Sequence, residues 1–265
     1  VNNKEIQEHL IRLRLLDPKA DGAWGAQSKL ALSVFQKLAG LTVDGVASPP
    51  TLKALEEFPS PQLKLGNDFA SRVIRYMVSK NYWVPVGEGA YTIVYVEGCE
   101  PNGVVNADEP NEWNDRRIVI EIEELVPRIV GNWQATTEPG TYYTENPLNP
   151  RGCARIAFGQ YQAWIQGYHG RSQYPALEQA APVKIFRDGN ADYTRTGDYF
   201  EEGVFGINQH HGWNCPLVEE NSAGCLVGQS IAGHQDFIKL LRGDRRYRAN
   251  PGYLYYTAIL DGSKL

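Results

Sequence analysis

The sequence predicts an α+β protein in two parts, a small three-helix bundle followed by a mainly β domain. Two observations carry that expectation. Apolar residues recur at helical spacing up to about residue 58. Beyond about residue 90 the apolar runs become β-branched and aromatic, with turn residues between them. The two-proline stretch FPSPQLKLGN at 58–67 separates the regimes. The expected divisions are residues 1–58 as the helical module, 59–67 as a linker and 68–265 as the β domain.

Each element has its own signal. Ile6, Leu10 and Leu13 lie on one face of a first helix. Ala31, Val34, Phe35 and Leu38 repeat the pattern in a second. Ser48-Pro49 marks the start of a third, whose face continues through Leu52 and Leu55. The connections carry a faint internal repeat, DGAWG at 21–25 and DGVAS at 44–48, in which each Asp-Gly predicts a tight turn. A further helix is expected over 68–80. Strands are then expected at 91–96, 117–122, 181–186, 204–211 and 254–260. A last helix over about 230–242 places His234 on an apolar face beside Ile231, Ile238 and Leu241. There a hydrogen-bonded core histidine is the expected role.

Composition excludes several function classes. Hydrophobic residues make up 42% of the chain, as in a globular protein, and no apolar run is long enough to span a membrane. A net charge of −5 with no basic stripe argues against nucleic acid as partner. The chain starts at Val1 without an apolar signal core, so a secretory leader is expected to lie outside it. Cys99, Cys153, Cys215 and Cys225 form no C-x-x-C pair, which argues against a zinc ribbon.

The stretch HHGWNCPLVEENSAGCLVGQ at 210–229 concentrates the chemistry. A thiol attacks as thiolate, and histidine is its usual base. In a regular strand His210 and His211 face opposite sides, which weakens a zinc site using both and leaves one to face Cys225. The Ser-Ala-Gly-Cys turn lets backbone amides approach a substrate oxygen. The other reading makes Cys225 a small buried hydrophobe and the histidines surface residues. Both stand on this stretch alone, and a Cys215–Cys225 disulfide is a further rival.

Two resemblances narrow the choice. The second helix, FQ at 35–36, GLTVDG at 40–45 and Thr51 resemble the small peptidoglycan-binding domain of cell-wall enzymes, over residues 4–57. That implies a three-helix bundle holding peptidoglycan near its turns, with Asp21, Gly22, Asp44 and Gly45 as candidate binding residues. Each is also an ordinary turn former. The order Thr137-Glu138-Pro139-Gly140-Thr141-Tyr142, GINQHHG at 206–212 and NSAGC at 221–225 resembles the L,D-transpeptidase catalytic-domain family, over about residues 90–240. The resemblance implies Cys225 as nucleophile, His210 or His211 as base, Gly224 shaping the oxyanion site and Ser222 holding the turn. His210 has the more typical spacing, and His211 is the alternative. Two family positions differ: Ala223 replaces a histidine, and Leu226-Val227-Gly228 stands where an arginine is usual.

The remaining candidates are Arg171, in a Gly-rich loop at 167–175 with His169, and Trp213. The first can pair with a carboxylate and the second can stack on sugar or peptide. The Asp- and Gly-rich stretch 186–198 lacks calcium-ligand alternation and reads as a hairpin loop. The expected function is a cysteine-dependent L,D-transpeptidase of the cell envelope, periplasmic or secreted. It would act on peptidoglycan stem peptides without a cofactor or metal. The alternatives are a non-catalytic wall-binding protein, an L,D-carboxypeptidase or a zinc amidase.

Overall fold

The computed structural model describes residues 1–265 and divides into two compact units. The first holds residues 1–91, 121–128 and 243–251. Its helices are α1 (Asn3–Arg12), α2 (Ala26–Leu38), α3 (Pro49–Glu57) and α4 (Phe69–Ser79). A capping box between Asn2 and Glu5 starts α1, which satisfies two end amides at once. Ser48 precedes α3 as expected, but its hydroxyl meets Thr51 Oγ1 at 3.0 Å rather than a free amide. Leu10, Leu32, Phe35 and Leu55 are fully or almost fully buried, as their helical spacing requires.

The units do not divide where the sequence suggested. Residues 59–67, expected as a linker, and α4, expected to open the β domain, both belong to the first unit. Backbone pairing ties the segment there, since Lys64 donates to the Leu125 carbonyl at 2.8 Å. Arg12 also holds the Leu55 and Phe58 carbonyls. These partners are distant in sequence, so composition alone reads the stretch as free chain.

The second unit is mainly β, as expected. In chain order the strands, which lie in this unit apart from Tyr91 and the hairpin end at 121–128, are β1 (Tyr91–Glu97), β2 (Asp115–Glu123), β3 (Val126–Thr136), β4 (Cys153–Ile156), β5 (Gly159–His169) and β6 (Tyr174–Gln179). They continue with β7 (Val183–Asp188), β8 (Tyr199–Gly203), β9 (Gln209–His211), β10 (Leu226–Gly228) and β11 (Tyr255–Asp261). Eight close into a barrel ordered β1-β11-β5-β6-β9-β10-β3-β2, which leaves no open edge. The others form a separate sheet ordered β4-β7-β8. The helices α5 (Thr141–Glu145) and α6 (Ile231–Arg242) follow β3 and β10, while α7 (Arg245–Ala249) lies in the first unit.

Two features position the site. First, β9 and β10 run parallel, with Val227 opposite His210 and Gly228 opposite His211. Second, the strand expected over 204–211 is shortened to Gln209–His211, because Gly206 adopts a positive φ of 79° that breaks the extended run. The 186–198 stretch is the connection between the paired strands β7 and β8.

Candidate functional site

Cys225 ends a turn that is fixed from several sides. Ser222 Oγ accepts from the Gly224 amide at 3.1 Å and donates to the Cys225 carbonyl at 3.0 Å. Gly224 has φ +119°, and a Cβ there would lie 2.5 Å from the Ala154 carbonyl oxygen, so only glycine fits. The Gly224 amide is therefore occupied inside the turn. The Cys225 amide, by contrast, has no hydrogen-bond partner and is the backbone donor beside the sulfur.

The segment 137–142 lies against this turn. Gly140 donates to the Ser222 carbonyl at 2.9 Å, and a Cβ on Gly140 would collide with the Glu219 backbone. Beneath it runs a buried ionic network. Arg195 grips Glu97 through both terminal nitrogens, at 2.7 and 2.6 Å, and Arg155 pairs with Glu138. Thr137 donates to Glu97 Oε2 at 2.5 Å. Glu97, Asp108 and Glu138 each bring an oxygen within 4.8 Å of the others. They could hold a cation, but two guanidiniums already supply positive charge there. Burial and the neighbouring Glu97 push Asp108 up to about 6 and Glu138 up to about 7.

The thiol opens into a cavity of about 390 Å³ lined by Gly206, Ile207, Cys153, Arg187 and Phe205 among others. Burial pushes Cys225 up to about 11, opposed by the Asn208 amide. Its sulfur donates to the Gly206 carbonyl at 3.5 Å, not to a histidine. All four cysteines are free, so the Cys215–Cys225 rival does not form.

Both adjacent histidines are buried, His210 at 5% and His211 at 4% exposure, so the surface-residue reading is wrong for them. The two rings line different cavities, His210 one shared with His169 and Arg171 and His211 one beside Ile231 and Ile238, and Tyr174 lines both. Tyr174 reaches both rings, placing its hydroxyl 3.3 Å from His210 Nδ1 while its ring stacks on His211 at 4.0 Å. Tyr174 lies beyond the only paired position of β6 and β9, Leu177 with Gln209, so its ring is not confined to one face. His169 stacks on His210 at 4.0 Å.

Hydrogen bonding separates the two histidines. His210 Nδ1 lies 3.0 Å from the His211 carbonyl, which can only accept, so its proton sits on Nδ1 and Nε2 is bare. His211 Nδ1 accepts the Trp213 amide at 3.3 Å, so its proton sits on Nε2. Burial holds both imidazoles low, His210 to about 3, and they are neutral at ordinary pH. One ring offers a lone pair and the other a donor.

Arg171, Trp213 and His210 line one cavity of about 230 Å³ with His169, Tyr174 and Glu220, and Cys225 does not line it. The structure thus gathers three sequence-derived candidates there and places the thiol in the neighbouring cavity. Sequence reading missed Tyr174 and Arg187. Tyr174 lies in the 167–175 stretch already singled out for His169 and Arg171, whereas Arg187 comes from β7 with no motif signal. His234 is a buried core histidine as expected. It is held by Arg117 at 3.2 Å and the Pro175 carbonyl at 2.9 Å.

In the helical module the two Asp-Gly turns are copies of one device. Gln7 Nε2 donates to Asp21 Oδ1, the Ala23 carbonyl and Ser28 Oγ, while its Oε1 accepts the Gly22 amide. Gln36 Nε2 donates to Asp44 Oδ1, the Val46 carbonyl and Thr51 Oγ1, while its Oε1 accepts the Asp44 and Gly45 amides. Gly22 and Gly45 take positive φ, 79° and 67°. These hydrogen bonds engage one carboxylate oxygen of Asp21 and of Asp44 and give Asp21, Gly22, Asp44 and Gly45 a turn-forming role. The sequence repeat pointed to the turns but not to the buried glutamines that hold them.

Residues 2–55 match the family described as putative peptidoglycan binding domain. No curated protein matches the chain. Among solved structures, a fused Zn-dependent amidase/peptidase/peptidoglycan-binding domain-containing protein from Clostridium acetobutylicum aligns at 14% identity. The alignment covers 97% of this chain and 94% of that one, with a TM-score of 0.31. An L,D-transpeptidase from Stackebrandtia nassauensis aligns at 13% identity, over 97% and 90%, with a TM-score of 0.32. An L,D-transpeptidase from Xylanimonas cellulosilytica aligns at 17% identity, over 97% and 92%, with a TM-score of 0.22.

Proposed function

We propose that this protein is a peptidoglycan-acting enzyme of the cell envelope, a cysteine-dependent L,D-transpeptidase with an N-terminal wall-binding module. The family match of residues 2–55 supports peptidoglycan as partner. No helix is long and apolar enough to cross a membrane. The observation that supports the reaction is a cavity-lining thiol in the turn that leads into β10, together with a histidine on the neighbouring parallel strand β9 whose Nε2 carries no proton.

The chemistry then runs in two halves. The thiol leaves the Gly206 carbonyl by side-chain rotation and gives its proton to His210 Nε2. Catalytic hydrogen bonds are often absent before substrate binds. The thiolate attacks the carbonyl between the third residue and the terminal D-alanine of a stem tetrapeptide. The free Cys225 amide stabilises the oxyanion. The C–N bond breaks, the D-alanine amine leaves with the proton from His210, and a thioester remains. An acceptor amine then attacks the thioester, returns a proton through His210 and forms the crosslink. Water in its place gives an L,D-carboxypeptidase.

The thiol's high pKa and its carbonyl partner favour a second reading, a wall-binding protein that keeps the site without turnover. Mass spectrometry after incubation with a carbapenem separates the two. The enzyme forms a covalent adduct on Cys225 that Cys225→Ala lacks. No adduct in the unsubstituted chain would leave only the binding role.

A further inference from the structure

A third cavity, of about 250 Å³, lies beside α6. Pro175, Ile231 and Ile238 give it apolar walls, and His211, Lys239 and Arg242 also line it. Two facts make it more than a packing gap. His211 is 4% exposed as a residue, its Nδ1 is occupied by the Trp213 amide, and its Nε2–H meets no protein acceptor while the ring lines the cavity. A donor open to the cavity is available to an acceptor bound there. Lys239 and Arg242, one helical turn apart on α6, pair with no carboxylate. Their place near the C-terminus of α6 explains their sign. It does not explain an apolar cavity with an unmet donor between them and the barrel.

We infer that this cavity is a binding site for a carboxylate carried on a small apolar body. The carboxylate accepts from His211 Nε2–H and sits within reach of the two cations, while the apolar part meets Pro175, Ile231 and Ile238. An acceptor-only anion suits a donor and two positive charges, and a guanidinium fork favours carboxylate geometry. The thiol lines a different cavity, so the inference stands or falls independently of the reaction proposed for Cys225.

The test titrates the full chain with 3-phenylpropionate and with 3-phenylpropanamide, following the imidazole nitrogen signals of His211 by NMR. N-acetyl-leucine serves as mimic of a peptide C-terminus. The expected result is saturable binding of the acid at about millimolar concentration or tighter, with a shift at His211 Nε2. The amide, and the acid with a Lys239→Gln/Arg242→Gln double variant, should each bind roughly tenfold more weakly or worse. Both residues are exposed, so the double variant should keep the circular dichroism spectrum of the unsubstituted chain. Tighter binding of N-acetyl-leucine than of 3-phenylpropionate assigns the site to peptide C-termini, and the reverse order assigns it to free acids. Equal affinity for acid and amide, undiminished binding by the double variant, or no shift at His211 with any probe overturns the inference.

Discussion

The Asp-Gly turns of the first unit and the histidine cluster of the second are both built from buried polar side chains, and they differ in how completely those groups are satisfied. In the turns each glutamine places its donors and acceptor on turn atoms, and a hydroxyl from the next helix closes the set. In the histidine cluster His210 keeps a bare Nε2, His211 keeps a donor, and the Cys225 amide is free. A saturated network holds shape, while an unsaturated one has capacity for a substrate. The contrast is what the proposed function requires, with the reaction in the barrel unit and a shape-holding role for the glutamines in the turns.

The sharpest way to break this contrast is at the two histidines. His210→Gln should slow carbapenem acylation of Cys225 on the order of a hundredfold or more, the range for losing a positioned base. His211→Gln should change it only fewfold, because its lone pair is already engaged by the Trp213 amide. The reverse order would move the base to His211. Equal slowing by both would erase the distinction drawn from their tautomers.

The saturated side is tested at Gln36, which is 1% exposed. Gln36→Ala strands the Asp44 and Gly45 amides and should cost about 1–3 kcal/mol, read by denaturant unfolding. Hydrogen exchange at the Gly45 amide should accelerate with it. An unchanged exchange rate would mean that the Asp-Gly turn holds itself.

A smaller effect is expected from Asp108, beneath the 137–142 segment. Its folded pKa is raised to about 6 from an ordinary carboxylate value near 4. The stability it contributes is full below the ordinary value and is lost as pH rises through about 6. Asp108→Asn should thus stabilise the protein at pH 8 by on the order of 1 kcal/mol, allowing for partial solvent screening, and do little at pH 4. Comparing the two chains at each pH removes the opposing contribution of the buried histidines. A constant difference across that range would show that Asp108 titrates normally.

The smallest effect is at the exposed side chain of Arg171, which lines the cavity with His210 and Trp213. Arg171→Gln should raise KM for a stem-peptide donor a fewfold with kcat unchanged, as for an exposed charge that assists binding. A fall in kcat instead would give it a part in the reaction.

The sequence by itself determined the helices, the Asp-Gly turns and the Ser-Ala-Gly-Cys turn. Each depends on residues within a few positions of one another: apolar spacing, a capping residue, a glycine where φ must be positive. It also indicated which residue types carry chemistry, since a thiol near histidines in a glycine turn is a local pattern. Only the tertiary structure decided which histidine has a lone pair to offer, because that follows from the His211 carbonyl and the Trp213 amide as the barrel folds them. The same holds for Ala154 against Gly224, Gly140 against the Ser222 loop, and Tyr174 between the two histidines. These last three contacts join segments tens of residues apart, so no short window of sequence contains both partners.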